Sequence, residues 1–192
     1  MSHLFTSPFA TADDARRLLP LYASTSRGDF ANDVLACAAG GRLAAGQGSM
    51  DDAIRLVRWK EPYRTYGRFL IGNEWADVAA VIQDAVARLD QGDDLGAIRT
   101  LCRLRMVGVP TATAFACWLR GGEFPLIDVM ALRALGYDGE INGRILRAYI
   151  AFCREDATRL GLSLRDLDRA LWVHRGKADG SYSVPRLRCG RS

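Results

Sequence analysis

Residues 105–135 decide the fold, and they read RMVGVPTATAFACWLRGGEFPLIDVMALRAL. The run Val107-Gly108-Val109-Pro110 is typical of a tight apolar turn that opens a helix, since proline suits the first helical turn. The glycine pair at 121–122 predicts a break after that helix. Asp128 follows an apolar run and precedes another helical pattern, which places it at a helix N-terminus. The stretch therefore predicts a turn, a helix, a break and an aspartate heading the next helix.

Helical periodicity continues along most of the chain, and no sustained alternation of apolar and polar residues predicts a strand. Ser49, followed three residues later by Asp52, is a capping box that predicts a helix over residues 50–59. Asn73 is expected to cap the most regular helix of the chain, which carries one apolar stripe. We therefore predict an all-α fold.

The helices are expected to form one domain over residues 1–175, because 192 residues are enough to bury a sizeable core. We place a central helical lobe at about 45–135, with the N- and C-terminal helices forming a second lobe. The glycine pair at 40–41 is expected to end the helix before the central lobe. Residues 176–192 are rich in glycine, serine and basic side chains, which predicts a loop and a basic tail.

Composition excludes several classes of protein. No apolar run approaches the roughly 20 residues of a membrane span. The N-terminus lacks the basic and apolar regions of a secretory signal, so a cytoplasmic protein with no membrane partner is expected. The five cysteines are odd in number and scattered, which fits buried thiols in a reducing compartment. We expect neither an iron–sulfur cluster nor a structural zinc ion.

The basic residues are almost all arginine. The net charge of +4 does not by itself indicate a DNA-binding protein. Arginine nevertheless accounts for 24 of the 26 basic residues, which leaves Lys60 and Lys177 as the two lysines. Guanidinium groups make paired, charge-assisted bonds to phosphate, so this bias suits a nucleic-acid partner. GC-rich coding explains the same bias at least as well.

Residues 106–128 resemble the hairpin and catalytic segment of the helix-hairpin-helix DNA glycosylase superfamily. Against the Gly-Val-Gly-x-Lys…Asp pattern of its endonuclease III branch, Gly108 matches the second hairpin glycine and Asp128 the catalytic aspartate. The interval of 18 residues between the lysine slot and the aspartate is kept. Met106 replaces the first glycine, and Pro110 replaces the lysine that forms an imine. The chain therefore resembles the monofunctional members, which use the aspartate and a water molecule.

The resemblance implies a two-lobed fold with a DNA groove between the lobes, a monomer, and no cofactor. DNA would be the partner, bound through a backbone phosphate and a flipped base. Asp128 would be the catalytic carboxylate, which stabilises positive charge on the sugar and orients water. An ordinary helix N-cap is the alternative interpretation of Asp128.

The hairpin is expected to hold a DNA phosphate. Backbone N–H groups of Val107, Gly108 and Val109, at the start of the following helix, would supply the contact. A tight turn between packed core helices is the alternative interpretation of this segment. Side chains that could add contacts to DNA, although a solvated face also explains the arginines, are Arg103, Arg105, Thr111, Thr113, Arg120 and Arg133.

The segment from Arg58 to Tyr66 is predicted to supply the base pocket. A flipped base needs flat surfaces for stacking and polar groups that read its edge. The residues with these properties are Trp59, Lys60, Tyr63 and Tyr66. The alternative is that Trp59 and Tyr66 anchor the core, with solvated charges between them. Because Pro110 occupies the lysine slot, Lys60 and Lys177 carry the two lysine amines that could form an imine.

Three functions are open on this basis. The first is hydrolysis of the N-glycosidic bond of a damaged or modified base, which includes excision of a hypermodified phage base as antiviral defence. The second is a non-catalytic DNA-binding module, suggested by the substituted lysine and glycine slots. The third is a helical scaffold for protein contacts, favoured if the hairpin is buried. Salt-dependent DNA binding separates the third function from the others, and catalysis separates the first from the second.

Overall fold

The computed structural model describes residues 4–23, 30–61 and 65–178. Within these ranges the chain forms eleven α-helices joined by turns and short connections, and no strand occurs among them. The predicted all-α class is therefore confirmed. The helices are α1 (Ala12–Arg16), α2 (Leu19–Ala23), α3 (Phe30–Ala44), α4 (Met50–Lys60), α5 (Thr65–Gly72), α6 (Trp75–Asp90), α7 (Asp94–Leu101), α8 (Val109–Leu119), α9 (Val129–Ala134), α10 (Gly143–Leu160) and α11 (Leu164–Ala178).

One of the two predicted caps is present. The Ser49 hydroxyl accepts the Asp52 N–H, and the Asp52 carboxylate accepts the Ser49 N–H at 3.1 Å, so the capping box of α4 is confirmed. Asn73 does not cap α6. Its amide donates to the carbonyls of Phe69 and Arg105 and accepts the N–H of Arg105. The prediction for Asn73 is wrong because its side chain joins the end of α5 to the turn ahead of α8.

Helix α3 runs through the glycine pair at 40–41 instead of ending there. Gly40 is buried where α3 crosses α8, and a Cβ atom on it would lie 2.2 Å from the carbonyl oxygen of Trp118. Gly41 is exposed, and no atom lies within 4 Å of its Cβ position. The expected helix end is therefore wrong, because Gly40 permits a close helix crossing and does not terminate the helix.

Packing divides the helices into two groups. In the first group, α3 packs against α4, α6 and α8, and α7 packs against α6 and α8. In the second group, α11 packs against α1, α2, α9 and α10. Helix α3 thus packs with helices of the predicted central lobe, although the boundary placed near residue 45 leaves it outside. The connection between α8 and α9 leads from the first group to the second, and Asp128 ends it.

A continuous core of buried apolar side chains joins the two groups. Helix α8 lies at its centre, since every residue from Thr111 to Leu119 is buried. A helix that is buried all round needs neighbours on every side, and α3, α4, α6 and α7 all pack against it. The core therefore fixes the start of α8, and with it the predicted hairpin.

The C-terminal helix is longer than the sequence predicts. Helix α11 continues to Ala178, past the expected start of the tail at residue 176. The remainder of the predicted tail, residues 179–192, lies outside the described residues. None of the described helices is long and apolar enough to cross a membrane.

Candidate functional site

A pocket of about 260 Å³ lies between the two groups of helices. Its walls come from α2, α3, α4 and α11, and from the connection that precedes α9. The lining residues combine aromatic faces with charged groups of both signs: Tyr22, Asn32, Leu35, Arg55, Arg58, Trp59, Lys60, Leu126, Asp128, Arg165, Asp168 and Trp172. A concave site with a few convergent charged groups is the best candidate among the described residues for binding or catalysis.

Asp128 and Lys60 form an ion pair inside this pocket. The Lys60 Nζ lies 3.2 Å from the Asp128 Oδ2, and the two side chains are only 9% and 18% exposed. Asp128 is also the N-cap of α9, because its Oδ1 accepts the Ala131 N–H at 2.9 Å. One carboxylate oxygen therefore caps the helix while the other faces Lys60, so both interpretations of Asp128 are compatible.

The environment of Asp128 keeps its carboxylate charged. Burial raises the pKa of Asp128, but the Lys60 ammonium and the backbone N–H groups at the start of α9 outweigh burial and hold this pKa below its ordinary value. Lys60 itself is buried, so the alternative in which its charge is solvated is wrong. The pocket thus contains a carboxylate that stays ionised at neutral pH although little of it is exposed to water.

Two side chains from neighbouring helices hold the connection that carries Asp128. On α8, the Thr113 hydroxyl accepts the Ile127 N–H at 3.2 Å and donates to the Pro110 carbonyl at 3.0 Å. On α10, the Tyr149 hydroxyl donates to the Leu126 carbonyl at 2.6 Å. Both hydroxyls are buried, so these bonds fix the position of the residues just before the carboxylate.

The turn ahead of α8 presents the start of that helix to solvent. Gly108 is the N-cap, is exposed, and supplies no side-chain cap. The N–H groups of Gly108 and Val109 therefore have room for an anion, and phosphate binding there stays a prediction. The Val107 N–H already donates to the Leu104 carbonyl at 3.2 Å, so the phosphate contact predicted for Val107 is corrected. Val109 is half-buried and Val107 is buried. Thr111 and Thr113 are also buried, so the hydroxyl contacts with DNA that were predicted for them are corrected.

Met106 adopts a left-handed backbone conformation, with a φ angle of 67°. It is the one non-glycine residue with a positive φ among the described residues. The resembled pattern has its first hairpin glycine at this position, and a left-handed conformation favours glycine. The turn thus keeps a backbone geometry suited to glycine although the side chain has changed.

We expect Met106→Gly to be more stable than Met106→Ala by about 1 kcal/mol, because only glycine relieves the left-handed strain. Both substitutions remove the same half-exposed side chain, so their difference isolates the backbone. Urea unfolding of the two variants measures the difference in free energy. Equal stabilities would show that the turn relaxes away from the left-handed region.

The four arginines predicted to contact phosphate do not lie together. Arg103 and Arg105 are exposed in the turn that leads to Gly108. Arg120 follows the other end of α8, about 18 Å from Gly108 by the helical rise over the twelve positions that separate them. Arg133 lies near the end of α9. Three of them have ion-pair partners: Arg103 with Asp84, Arg120 with Asp90, and Arg133 with Asp138. Arg120 therefore lies apart from the turn at Gly108, and the predicted contacts of these arginines with DNA phosphates stay predictions.

Of the four residues predicted to form the base pocket, two line the pocket, one does not, and one lies outside the described residues. Trp59 and Lys60 both line the pocket. Trp59 is a core anchor as well, since its edge-to-face contact with Trp118 has ring centroids 5.0 Å apart. Tyr66 is not among the lining residues and is 37% exposed, with the Arg58 guanidinium 4.7 Å from its ring centroid. Tyr63 lies outside the described residues.

Sequence reasoning missed the charged residues that α11 brings to the pocket. Arg165 is 8% exposed, bonds to Asp33 at 3.1 Å, and pairs with Asp168. Its guanidinium carbon also lies 5.0 Å from the ring centroid of Trp59. The only local signal was the spacing of Arg165 and Asp168, which is typical of an exposed helical ion pair. Burial of this pair depends on α3 and α4, so the sequence of α11 alone does not reveal it.

Among the described residues, no group of three or more histidine, cysteine, aspartate or glutamate side chains is placed to hold a metal ion. No family model, curated protein or solved structure matches this chain. The function proposed below therefore rests on the geometry of the pocket and on the local resemblance of residues 106–128.

Proposed function

We propose that this protein is a monofunctional DNA glycosylase, which hydrolyses the N-glycosidic bond of a damaged or modified base turned out of the duplex. The observation that carries the proposal is Asp128, a carboxylate held ionised by Lys60 inside a pocket of about 260 Å³. An anion in such a site stabilises positive charge that develops on the sugar and orients the attacking water. Hypermodified phage bases belong to the same substrate class.

The other walls of the pocket support a flat, polar ligand. Tyr22, Trp59 and Trp172 supply aromatic surfaces. Arg55 and Arg58 are exposed on α4 and line the same pocket, where they could meet the phosphates that flank an extruded base. The volume is near the lower limit of ligand pockets, which is about 300 Å³, so it suits one base better than a larger cofactor.

The exposed start of α8 supports binding to the DNA backbone. Its N–H groups and helix dipole favour an anion, and Arg103 and Arg105 lie in the adjoining turn. A non-catalytic DNA-binding module would use the same contacts and is the main alternative. A protein scaffold is less favoured, because Gly108 is exposed and not covered by other helices.

The experiment that tests the proposal measures base release from duplexes that carry deaminated, oxidised, alkylated or glucosylated bases, with alkali to cleave the resulting abasic sites. The expected result is release from one class of duplex by the wild-type protein. DNA binding is measured in parallel over a salt series, since phosphate contacts weaken steeply with salt. Salt-sensitive binding without release would favour the binding module, and the absence of both would favour the scaffold.

The position of Lys60 favours a second candidate activity, cleavage of the DNA strand through an imine. Lys60 is buried and lies beside Asp128, which can accept its proton. The amine then attacks the C1′ aldehyde of an abasic sugar, and the C1′ oxygen leaves as water when the imine forms. Loss of a C2′ proton expels the 3′ phosphate, which breaks the strand, and water then releases Lys60. This amine comes from α4. It does not come from the lysine slot of the resembled pattern, which Pro110 occupies at the start of α8.

Borohydride trapping tests this activity, since the reagent reduces an imine to a stable covalent adduct. If Lys60 forms the imine, the adduct with abasic DNA disappears in Lys60→Arg and persists in Lys177→Arg. This pair of variants is matched, because each removes one of the two lysines. An adduct that persists in Lys60→Arg would show that Lys60 is not the required nucleophile, and no adduct with wild type would leave hydrolysis as the candidate reaction.

A further inference from the structure

The pocket contains a second carboxyl group, Asp168 on α11, with a role that differs from that of Asp128. Its side chain is 12% exposed, and it lines the pocket together with Asp128 and Lys60. The proposed hydrolysis uses one carboxylate, at Asp128. Asp168 is therefore a second buried acidic group in the same pocket, and the proposed hydrolysis gives it no function.

Asp168 is held in one orientation by Arg165, which is itself fixed. The Arg165 guanidinium bonds to the Asp33 carboxylate at 3.1 Å and to the Tyr22 hydroxyl at 3.0 Å. It also lies 5.0 Å from the ring centroid of Trp59. Arg165 thus bonds to two carboxylates at once, those of Asp33 and Asp168. Asp33 has a further partner in Arg169, at 2.5 Å.

The two carboxyl groups of the pocket differ in pKa. The pKa of Asp168 is raised to about 6, chiefly by burial and also by the nearby Asp128 and Asp33 charges, while Arg165 and Lys60 oppose the rise. The pKa of Asp128 is instead lowered. Two carboxyl groups whose surroundings separate their pKa values divide the roles of acid and base in an active site.

The charged side chains that act on Asp168 are Asp33, Lys60, Asp128 and Arg165, and Arg55 and Arg58 line the same pocket. The remaining titratable neighbours are hydroxyls and thiols whose pKa values are raised by burial: Tyr22, Cys117, Tyr149 and Cys153. The pKa of Asp33 is lowered, like that of Asp128. Asp168 is therefore the carboxyl group of this cluster that changes charge near pH 6.

We propose that Asp168 is the proton donor of the pocket, and that the substrate is a base that is neutral before it leaves. This inference rests on the proposed glycosylase function. The N-glycosidic bond breaks with its electron pair going to the base, and the Asp168 proton goes to the same base. Water forms the new bond to the sugar carbon, and its proton goes to Asp128. The cycle is completed when a proton returns from Asp128 to Asp168 through solvent.

A base that already carries a positive charge, such as 7-methylguanine, leaves as a neutral molecule and needs no proton. A neutral deaminated or modified base leaves as an anion unless it is protonated. Asp168 should therefore matter for neutral bases and not for cationic ones. This difference gives the experiment an internal control within one protein.

The test is the pH dependence of base release in single turnovers, for wild type, Asp168→Asn and Asp168→Glu, on a neutral and a cationic substrate. An acid that must be protonated is active below its pKa and loses activity as the pH rises. The wild-type rate on a neutral base should thus fall about tenfold per pH unit above pH 6, and Asp168→Asn should lose about 100-fold at pH 5.5 and show no such fall. Asp168→Glu should retain the fall, and the cationic base should show none of these effects.

Each other outcome has a definite meaning. A fall with pH that persists in Asp168→Asn overturns the role of Asp168 alone, provided that release still requires Asp128. An equal loss at every pH and on both substrates also overturns it, since that loss indicates a structural role. The wild-type comparison needs no variant and stands even if Asp168→Asn fails to fold. Release of neutral bases with a rate that falls above pH 6 supports the inference, and release of cationic bases alone overturns it. Release of no base by the wild-type protein overturns the proposed function together with this inference.

Discussion

Replacing Asp128 by asparagine is expected to lower the rate of base release at least about 100-fold, within the usual range for loss of an acid–base group. Asparagine is as good an N-cap as aspartate, so the start of α9 should persist. What is lost is the negative charge that faces Lys60 across 3.2 Å, and with it the group that orients water. Single-turnover release on the preferred duplex measures the effect.

Asp93→Asn is the matched control for this variant. Asp93 is likewise an N-cap aspartate, whose side chain accepts the Gly96 N–H at 2.9 Å at the start of α7. It does not line the pocket, so its substitution should leave the rate of base release unchanged. Thermal unfolding of both variants shows that each is folded. If Asp128→Asn released base as fast as wild type, Asp128 would be a cap and nothing more.

Two adjacent glycines of α3 should respond to alanine in opposite directions. Gly40→Ala places a methyl group where the backbone of Trp118 already lies, at 2.2 Å from its carbonyl oxygen, and should destabilise the protein by about 3 kcal/mol. Gly41→Ala places the same methyl group in open space and should stabilise the protein by about 0.5–1 kcal/mol, because alanine favours a helix.

Urea unfolding of these two variants gives both free energies with the same chemical change in one helix. Since helix propensity acts alike at the two positions, the difference between the variants measures the closeness of the crossing between α3 and α8. Similar stabilities would mean that α3 can move away from α8 at little cost. That result would contradict the close packing of the first group of helices.

Local features of this fold could be predicted from the sequence, and those that depend on distant partners could not. The capping box at Ser49 and the helix start at Asp128 each depend on residues no more than three positions apart in the sequence. Gly40 looks like a helix end unless the position of α8 is known. Asn73 looks like a cap, but its partner Arg105 is 32 residues away.

The candidate site follows the same rule. Asp128 and Lys60 were both identified from the sequence, but their contact, across 68 residues, was not. Arg165 of α11 meets Asp33 of α3 across 132 residues, at the wall of the pocket. The residues missed by sequence reasoning are thus the ones whose neighbours come from the other end of the chain.

The bonds of the Thr113 hydroxyl imply how a substrate would be selected. This hydroxyl connects the first turn of α8, just after Gly108, to the peptide just before Asp128. Under the proposed function, the first turn of α8 would hold a phosphate and Asp128 would face the sugar of the same DNA molecule. The distance between the phosphate and the sugar would then be set by the buried bonds of Thr113, and the DNA backbone would have to adopt that distance. Damaged nucleotides at which the DNA backbone is easier to distort would reach Asp128 first. The substrate would then be selected by the deformability of the duplex before any side chain contacts the base.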